Sequence, residues 1–383
     1  MLIPILTSLA LLLPSPHEES AKVVHVFVLA GQSNMEGKGF PEPLAWQITQ
    51  SEYQDRWTAY VPGGDFGAFS DKLEASLEEN PKRPVYDWAV RDDVWIEFLG
   101  NRGGLSVGYG APSKCFGPEL EFGFAVGDHL DDPVLLIKTA WGGKSLGRDF
   151  RPPSAGLPSD EELQAMVDQR NERVRNHNEK NPDRPRQETD VESVKAEYGH
   201  FYRLMIQNVQ ETLALLPTRF PELADAEPRM AGFVWFQGWN DQFDPDGSTN
   251  YGAYMGHLLR DVRKDLDAPG MPAVVGVVGF DGQLHPPAGR DGKPSARAMI
   301  QAGQRVVSTE AEFKGSVLSV ETAPFWDMDA DAIYRGEGGW SADPEKWRQF
   351  GNDRPYHYYG SPWFFAQAGR AFGDAMVKLI SEK

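Results

Sequence analysis

Five short apolar runs, rich in β-branched residues, constrain this chain more than any other feature. They are Val23–Leu29 (VVHVFVL), Val134–Thr139 (VLLIKT), Ala231–Phe236 (AGFVWF), Ala273–Phe280 (AVVGVVGF) and Gly315–Val320 (GSVLSV). Each is strand-length and nearly continuous in its apolar character, as in strands buried on both faces. Helical patterns lie between them. Tyr202, Met205, Ile206, Val209 and Leu213 recur at helical spacing, and further helices are expected at Pro41–Gln50, Tyr251–Leu266 and Ser295–Val307. The last helix is marked by Ser361 as N-cap, Pro362 in its first turn, and Phe365, Ala368, Phe372, Met376 and Leu379 on one face. The alternation predicts an α/β fold of three layers, α/β/α, with about five mainly parallel strands. Right-handed crossovers then bring the C-terminal ends of the strands to one edge, where open α/β sheets bind ligands.

That edge collects a particular set of residues. The first run stops at Ala30-Gly31, and Ser33 follows two residues later; Gly31 allows a turn that a side chain would obstruct. Gly142-Gly143 follow the second run, Gln237 follows the third, and His357 lies in the loop before the final helix. A serine becomes a nucleophile when a base reaches its hydroxyl and oriented donors await the oxyanion. Of the eight histidines, only His285, in a proline-rich loop, competes with His357 for the place of base. The Ser33 N–H, an N–H from Gly142 or Gly143, and the Gln237 side-chain amide are the candidate oxyanion donors. Asp241, Asp244 and Asp246 fit no EF-hand register and read as a solvated turn.

Composition removes several classes of function. A formal net charge of −18 argues against binding a phosphate backbone, so no nucleic-acid partner is expected. The single cysteine, Cys115, rules out an intramolecular disulfide and thiolate zinc clusters. Residues 1–20, with the apolar stretch Leu2–Leu13, read as a secretory signal peptide, too short to span a bilayer as a helix. Export to the periplasm or the exterior is therefore expected, with no membrane association beyond that signal. Residues 21–383 read as one domain with long insertions at about 50–115 and 148–200. In the first, VYDWAVRDDVWIEF has the alternation of a hairpin or small edge strands; in the second, Leu163, Met166 and Val167 mark a short helix and Asn181–Asp190 an exposed loop.

Four blocks together resemble a known family. AGQSNMEG resembles the first block of the SGNH (GDSL-like) hydrolases, in the branch where Gly-Gln-Ser-Asn replaces Gly-Asp-Ser. KTAWGGKSL, VWFQGWND and YHYYGS resemble that branch's glycine, Trp-x-Gln-Gly and histidine blocks, and FGPEL precedes the second strand. The set is similar to the sialate O-acetylesterase and acetyl-xylan-esterase-like proteins. The resemblance implies a flavodoxin-like SGNH fold and a serine esterase that removes acetyl groups from carbohydrate, without metal or cofactor. Carried over, Ser33 is the nucleophile and His357 the general base, with Ser33, Gly142/Gly143 and Gln237 forming the oxyanion hole. Two blocks depart from the pattern. Trp239 stands where many relatives have Glu, and Asp-x-x-His becomes Asp353-Arg-Pro-Tyr-His357, which places Arg354 at the usual acid position. Asp353, Glu321 or a backbone carbonyl remain open as the group that orients His357.

Overall fold

The structure is a computed structural model that describes residues 22–286 and 288–382. The signal peptide expected over residues 1–20 lies outside the described residues. Among those described, no helix is long and apolar enough to cross a membrane.

Seven strands form one sheet: β1 (Val23–Gly31), β2 (Val94–Phe98), β3 (Asn101–Gly104), β4 (Val134–Ala140), β5 (Glu227–Phe236), β6 (Ala273–Val277) and β7 (Val317–Glu321). Their order is β3-β2-β4-β1-β5-β6-β7. Every pairing is parallel except β2 with β3. The five strands expected from the apolar runs are all present, ordered β4-β1-β5-β6-β7. This is the doubly wound order of flavodoxin-like sheets, in which β1 has a later strand on each side and the chain reverses direction of winding. The two additional strands come from the first insertion. The expected hairpin there starts later than its alternation indicates: Val94–Phe98 pairs with Asn101–Gly104 across a tight turn in which Leu99 and Gly100 have φ of 49° and 95°.

Helices cover both faces of the sheet. On one, α1 (Glu119–His129) packs against α7 (Pro362–Ser381). The two come so close that a Cβ on Gly369 would lie 2.3 Å from the Pro118 carbonyl oxygen. On the other lie α4 (His200–Ala214), α5 (Tyr251–Asp265) and α6 (Ala296–Val306). Neighbouring residues on β5 show the alternation of a strand between two layers. Phe236 packs on Phe364 and Phe372 of α7, whereas Trp235 turns the other way and donates its indole N–H to the Tyr251 hydroxyl at 3.2 Å.

The second insertion is more helical than its sequence indicates. α2 (Asp160–Lys180) is long, opened by a capping box in which Ser159 and Glu162 bond each other's backbone N–H. Only Leu163 and Val167 of α2 are buried among its apolar residues, and they form a small separate core with Val194 and Tyr198 around α3 (Val191–Glu197). Capping and polar helix formers, rather than an apolar stripe, carry α2 beyond its expected end. The helical pattern over Val194–Leu216 is broken at Gly199, whose left-handed φ of 66° separates α3 from α4.

Cys115 is 1% exposed, and burial, with the charge of Glu42, pushes its thiol up to about 12. The thiolate is the reactive form, so iodoacetamide at pH 8 should leave the native protein unlabelled and modify Cys115 only after unfolding. Labelling of the folded protein, read by mass spectrometry, would contradict this.

Candidate active site

The site forms where β1 and β5 end side by side. Gly31 is required there on two counts: its φ is 155°, and a Cβ would lie 2.1 Å from the Phe236 carbonyl oxygen. Beyond it, Ser33–Glu36 makes one helical turn, and Ser33 is only 7% exposed. The preceding Gln32 fastens this turn to the end of β5. Its Oε1 accepts from the Gln237 amide at 3.1 Å and from the Gly238 and Asn240 N–H groups at 3.3 Å each.

His357 arrives from the far end of the chain, 324 positions away, and its Nε2 lies 3.0 Å from Ser33 Oγ. Its Nδ1 lies 2.9 Å from Asp353 Oδ2. The turn that carries it is unusual. Tyr358 and Tyr359 have φ of 49° and 62°, a region that side chains rarely enter. Two such residues cost roughly 1–3 kcal/mol each and need surrounding structure to hold them. Both tyrosines are buried. Tyr358 stacks on Phe364 at 3.4 Å between centroids and accepts the Gly279 N–H, and the Tyr359 hydroxyl donates to Asp331 at 2.5 Å. A bond from Asn34 Nδ2 to the Tyr356 carbonyl, 3.1 Å, joins the serine turn directly to this loop.

Of the orienting groups left open by the sequence, Asp353 is the one beside His357. Its other oxygen accepts the Arg354 N–H at 2.7 Å. Burial alone would raise this carboxyl, but the hydrogen bond and charge of His357 outweigh burial and hold it below the ordinary carboxylate value. Glu321 is bound instead by the Arg305 guanidinium, at 2.5 and 2.9 Å. His285 is exposed and makes no contact with Ser33. The extra residue in Asp353-Arg-Pro-Tyr-His357 is taken up by the Pro355–Gly360 turn, so the i,i+4 pair still meets.

The groups expected as oxyanion donors do not all face the site in the structure. Gln237 is 1% exposed, and its amide is consumed internally, by Lys144 O at 2.9 Å, Asp241 Oδ2 at 2.6 Å and Gln32 Oε1. Its Oε1 accepts from the Tyr251 hydroxyl at 2.8 Å. Gln237 is a buried brace in this structure, where the sequence expectation makes it an oxyanion donor; its amide donates to these internal acceptors. The acceptor that draws it inward is Asp241, which is fully buried and also accepts the Leu146 and Gly147 N–H groups at 2.9 and 2.8 Å. Burial raises this carboxyl to about 6 against the lowering effect of those bonds. Asp241 is thus no part of a solvated turn.

Gly142 and Gly143 separate as well. The Gly142 N–H donates to Glu36 Oε1 at 2.7 Å, and the other oxygen of Glu36 is paired with Lys38 at 3.0 Å. Gly143, left-handed at φ 71°, has an N–H with no acceptor among the described residues, and the same holds for the Ser33 N–H. Asn240 stands beside them. One Nδ2 proton goes to the Gly143 carbonyl oxygen at 2.6 Å, which leaves the other free. The Gly-Trp-Asn-Asp stretch carried the signal for Asn240, which lies three residues after Gln237 and is partly exposed. Among the described residues no group of three or more His, Cys, Asp or Glu side chains is placed to hold a metal ion.

Residues 23–181 and 188–312, well over half of the chain, match the family model for carbohydrate esterase, sialic acid-specific acetylesterase. The chain belongs to this carbohydrate esterase family. The match takes in Ser33, the glycine block and Asn240 and stops short of Asp353 and His357, which the fold alone brings to the site. Three solved structures are similar over most of the chain. A protein from Arabidopsis thaliana is 13% identical over 92% of this chain and 97% of its own, with a TM-score of 0.47. A carbohydrate acetylesterase from Xanthomonas citri is 13% identical over 94% of this chain and 57% of its own, TM-score 0.45. NanS is 15% identical over 95% and 98%, TM-score 0.43. No curated protein matches significantly.

Proposed function

We propose that this family member is a serine O-acetylesterase that deacetylates carbohydrate, with Ser33, His357 and Asp353 as its catalytic triad. The observation that carries the reading is the unbroken chain Ser33 Oγ–His357 Nε2 and His357 Nδ1–Asp353 Oδ2, at 3.0 and 2.9 Å. Such a relay is what a hydroxyl needs to become a nucleophile at neutral pH. His357 Nε2 takes the Ser33 proton as Oγ adds to the acetyl carbonyl carbon. Asp353 holds the imidazole in the tautomer whose Nε2 is free to accept. The tetrahedral oxyanion is received by the Ser33 N–H, the Gly143 N–H and the free Nδ2 proton of Asn240. Collapse breaks the bond to the sugar oxygen, which leaves with the proton from His357. Water then adds to the acetyl-Ser33 carbonyl, gives its proton to His357, and acetate departs as Oγ is reprotonated. Export, drawn from the apolar leader, belongs to the same reading.

The placement of Asn240 and Gln237 gives a test that separates donor from brace. Asn240→Ala should lower kcat for acetate release by roughly 10²–10³ with little change in the melting temperature. Gln237→Ala should lower the melting temperature, because it takes a donor from buried Asp241 and from the Lys144 carbonyl. If Gln237→Ala cut kcat at unchanged stability while Asn240→Ala left kcat alone, the proposed hole would be wrong.

A further inference from the structure

The proton that His357 returns to the departing sugar has a short reach. A general acid acts across a hydrogen bond of about 3 Å, so the ester oxygen must sit against His357 Nε2. The sugar ring attached to that oxygen must then lie along whatever flanks His357 on its open side. Two aromatic side chains occupy that position. The Tyr356 ring meets the His357 ring edge to face, 4.5 Å between centroids, and is 41% exposed. Its hydroxyl has no partner among the described residues. Trp239 lies 5.6 Å from Tyr356 and is partly exposed, on the loop whose next residue is Asn240.

The Tyr356 backbone and the Trp239 ring are each held in place. The Tyr356 carbonyl accepts from Asn34 in the serine turn. Trp239 is backed by Phe280 at 5.7 Å and by the Arg297 guanidinium, 4.8 Å from its ring. Arg297 is itself fixed by Asp281 and by Gln242, each at 2.8 Å, and Gln242 donates to the Trp239 carbonyl at 2.8 Å. An exposed aromatic pair held rigid in this way loses little freedom when a ligand covers it. The two rings meet at 45°, and the apolar face of the exposed Tyr356 ring suits the C–H face of a pyranose, with the hydroxyls around the sugar's rim in water.

We infer that Tyr356 and Trp239 form the leaving-group platform, on which the pyranose bearing the acetyl ester stacks while His357 protonates its oxygen. The inference rests on the serine esterase reading of the same site. It names the discriminating part of the substrate as a pyranoside ring, in preference to a simple alkyl alcohol.

The test compares two acetate esters, a mono-O-acetylated methyl pyranoside and ethyl acetate, by acetate release from the full chain. Tyr356→Ala should lower the ratio of kcat/KM for the pyranoside to that for ethyl acetate by roughly tenfold, mostly through KM. Tyr356→Phe, which keeps the ring, should restore the ratio. Trp239→Leu should lower it in the same direction. Inhibition by the deacetylated methyl pyranoside should weaken in Tyr356→Ala, a binding readout independent of turnover. An unchanged ratio and unchanged inhibition in both Tyr356→Ala and Trp239→Leu would overturn the platform while leaving the esterase intact. If the wild-type protein released no acetate from either ester, both the esterase reading and the platform would fall.

Discussion

Ser33→Ala is expected to remove acetate release altogether, with a fall of about 10⁴–10⁶ in kcat and a fold that melts as the wild type does. In the proposed mechanism the Ser33 hydroxyl makes the attack, and its loss leaves the proposed oxyanion donors without a nucleophile. Its structural cost is small, because Ser33 Oγ bonds to His357 alone and no buried partner is stranded. Asp353→Asn should cost about 10⁴ as well, since an amide facing Nδ1 favours the wrong imidazole tautomer. Because effects of groups that act as a unit do not add, the Ser33→Ala/Asp353→Asn double variant should be no slower than Ser33→Ala. Acetate measured by a coupled assay decides these outcomes. Retention of activity in Ser33→Ala would end the serine mechanism.

Lys138→Met is expected to produce the largest loss of stability. Lys138 sits in the central strand β4 with its side chain fully buried, 2.9 Å from the equally buried Glu119. The ammonium also donates to the Glu36 carbonyl at 2.7 Å and to the Tyr109 carbonyl. Glu119 Oε1 accepts the Gly117 N–H at 2.8 Å. One ion pair therefore ties together the serine turn, the loop through Tyr109 and the start of α1. Burial pushes the Glu119 carboxyl up and the Lys138 ammonium down, towards their neutral forms, while their mutual attraction opposes both shifts. Removing one partner strands the other charge, which typically costs about 3–5 kcal/mol. A Lys138→Met/Glu119→Leu pair should recover part of that loss, because no buried charge remains. Chemical denaturation of the three proteins measures this. A single variant as stable as the wild type would show that the pair contributes nothing.

Some of this architecture is legible in the residues themselves, and the reasons are local. Strands buried on both faces announce themselves by continuous apolar runs, so the five core strands were accessible, and with them the edge that gathers Ser33 and His357. Asp353 was accessible only as one of several choices, because what decides it is the left-handed course of Tyr358 and Tyr359. Nothing in a tyrosine marks it for positive φ; the packing around it does. The burial of Gln237 beside the more exposed Asn240 was out of reach for a similar reason. Both are amides after the same strand, and which one faces outward depends on the burial of Asp241, in a stretch whose acidity indicates solvent. Lys138 is a further case, a charge inside an apolar run whose partner lies in another element. The length of α2 escaped because helix capping, unlike an apolar stripe, leaves little periodic trace.

The separation of Ser33 from His357 along the chain has a consequence for the protein's biogenesis. Ser33 lies in the turn just after the first strand, whereas His357 lies in the turn before the last helix. A chain still lacking its C-terminal segment therefore holds Ser33 without the imidazole beside it, however complete its sheet. The Ser33–His357 contact depends on the turn after Asp353, which leads directly into the C-terminal helix packed on α1. If the proposed triad holds, a chain shortened before His357 should release no acetate.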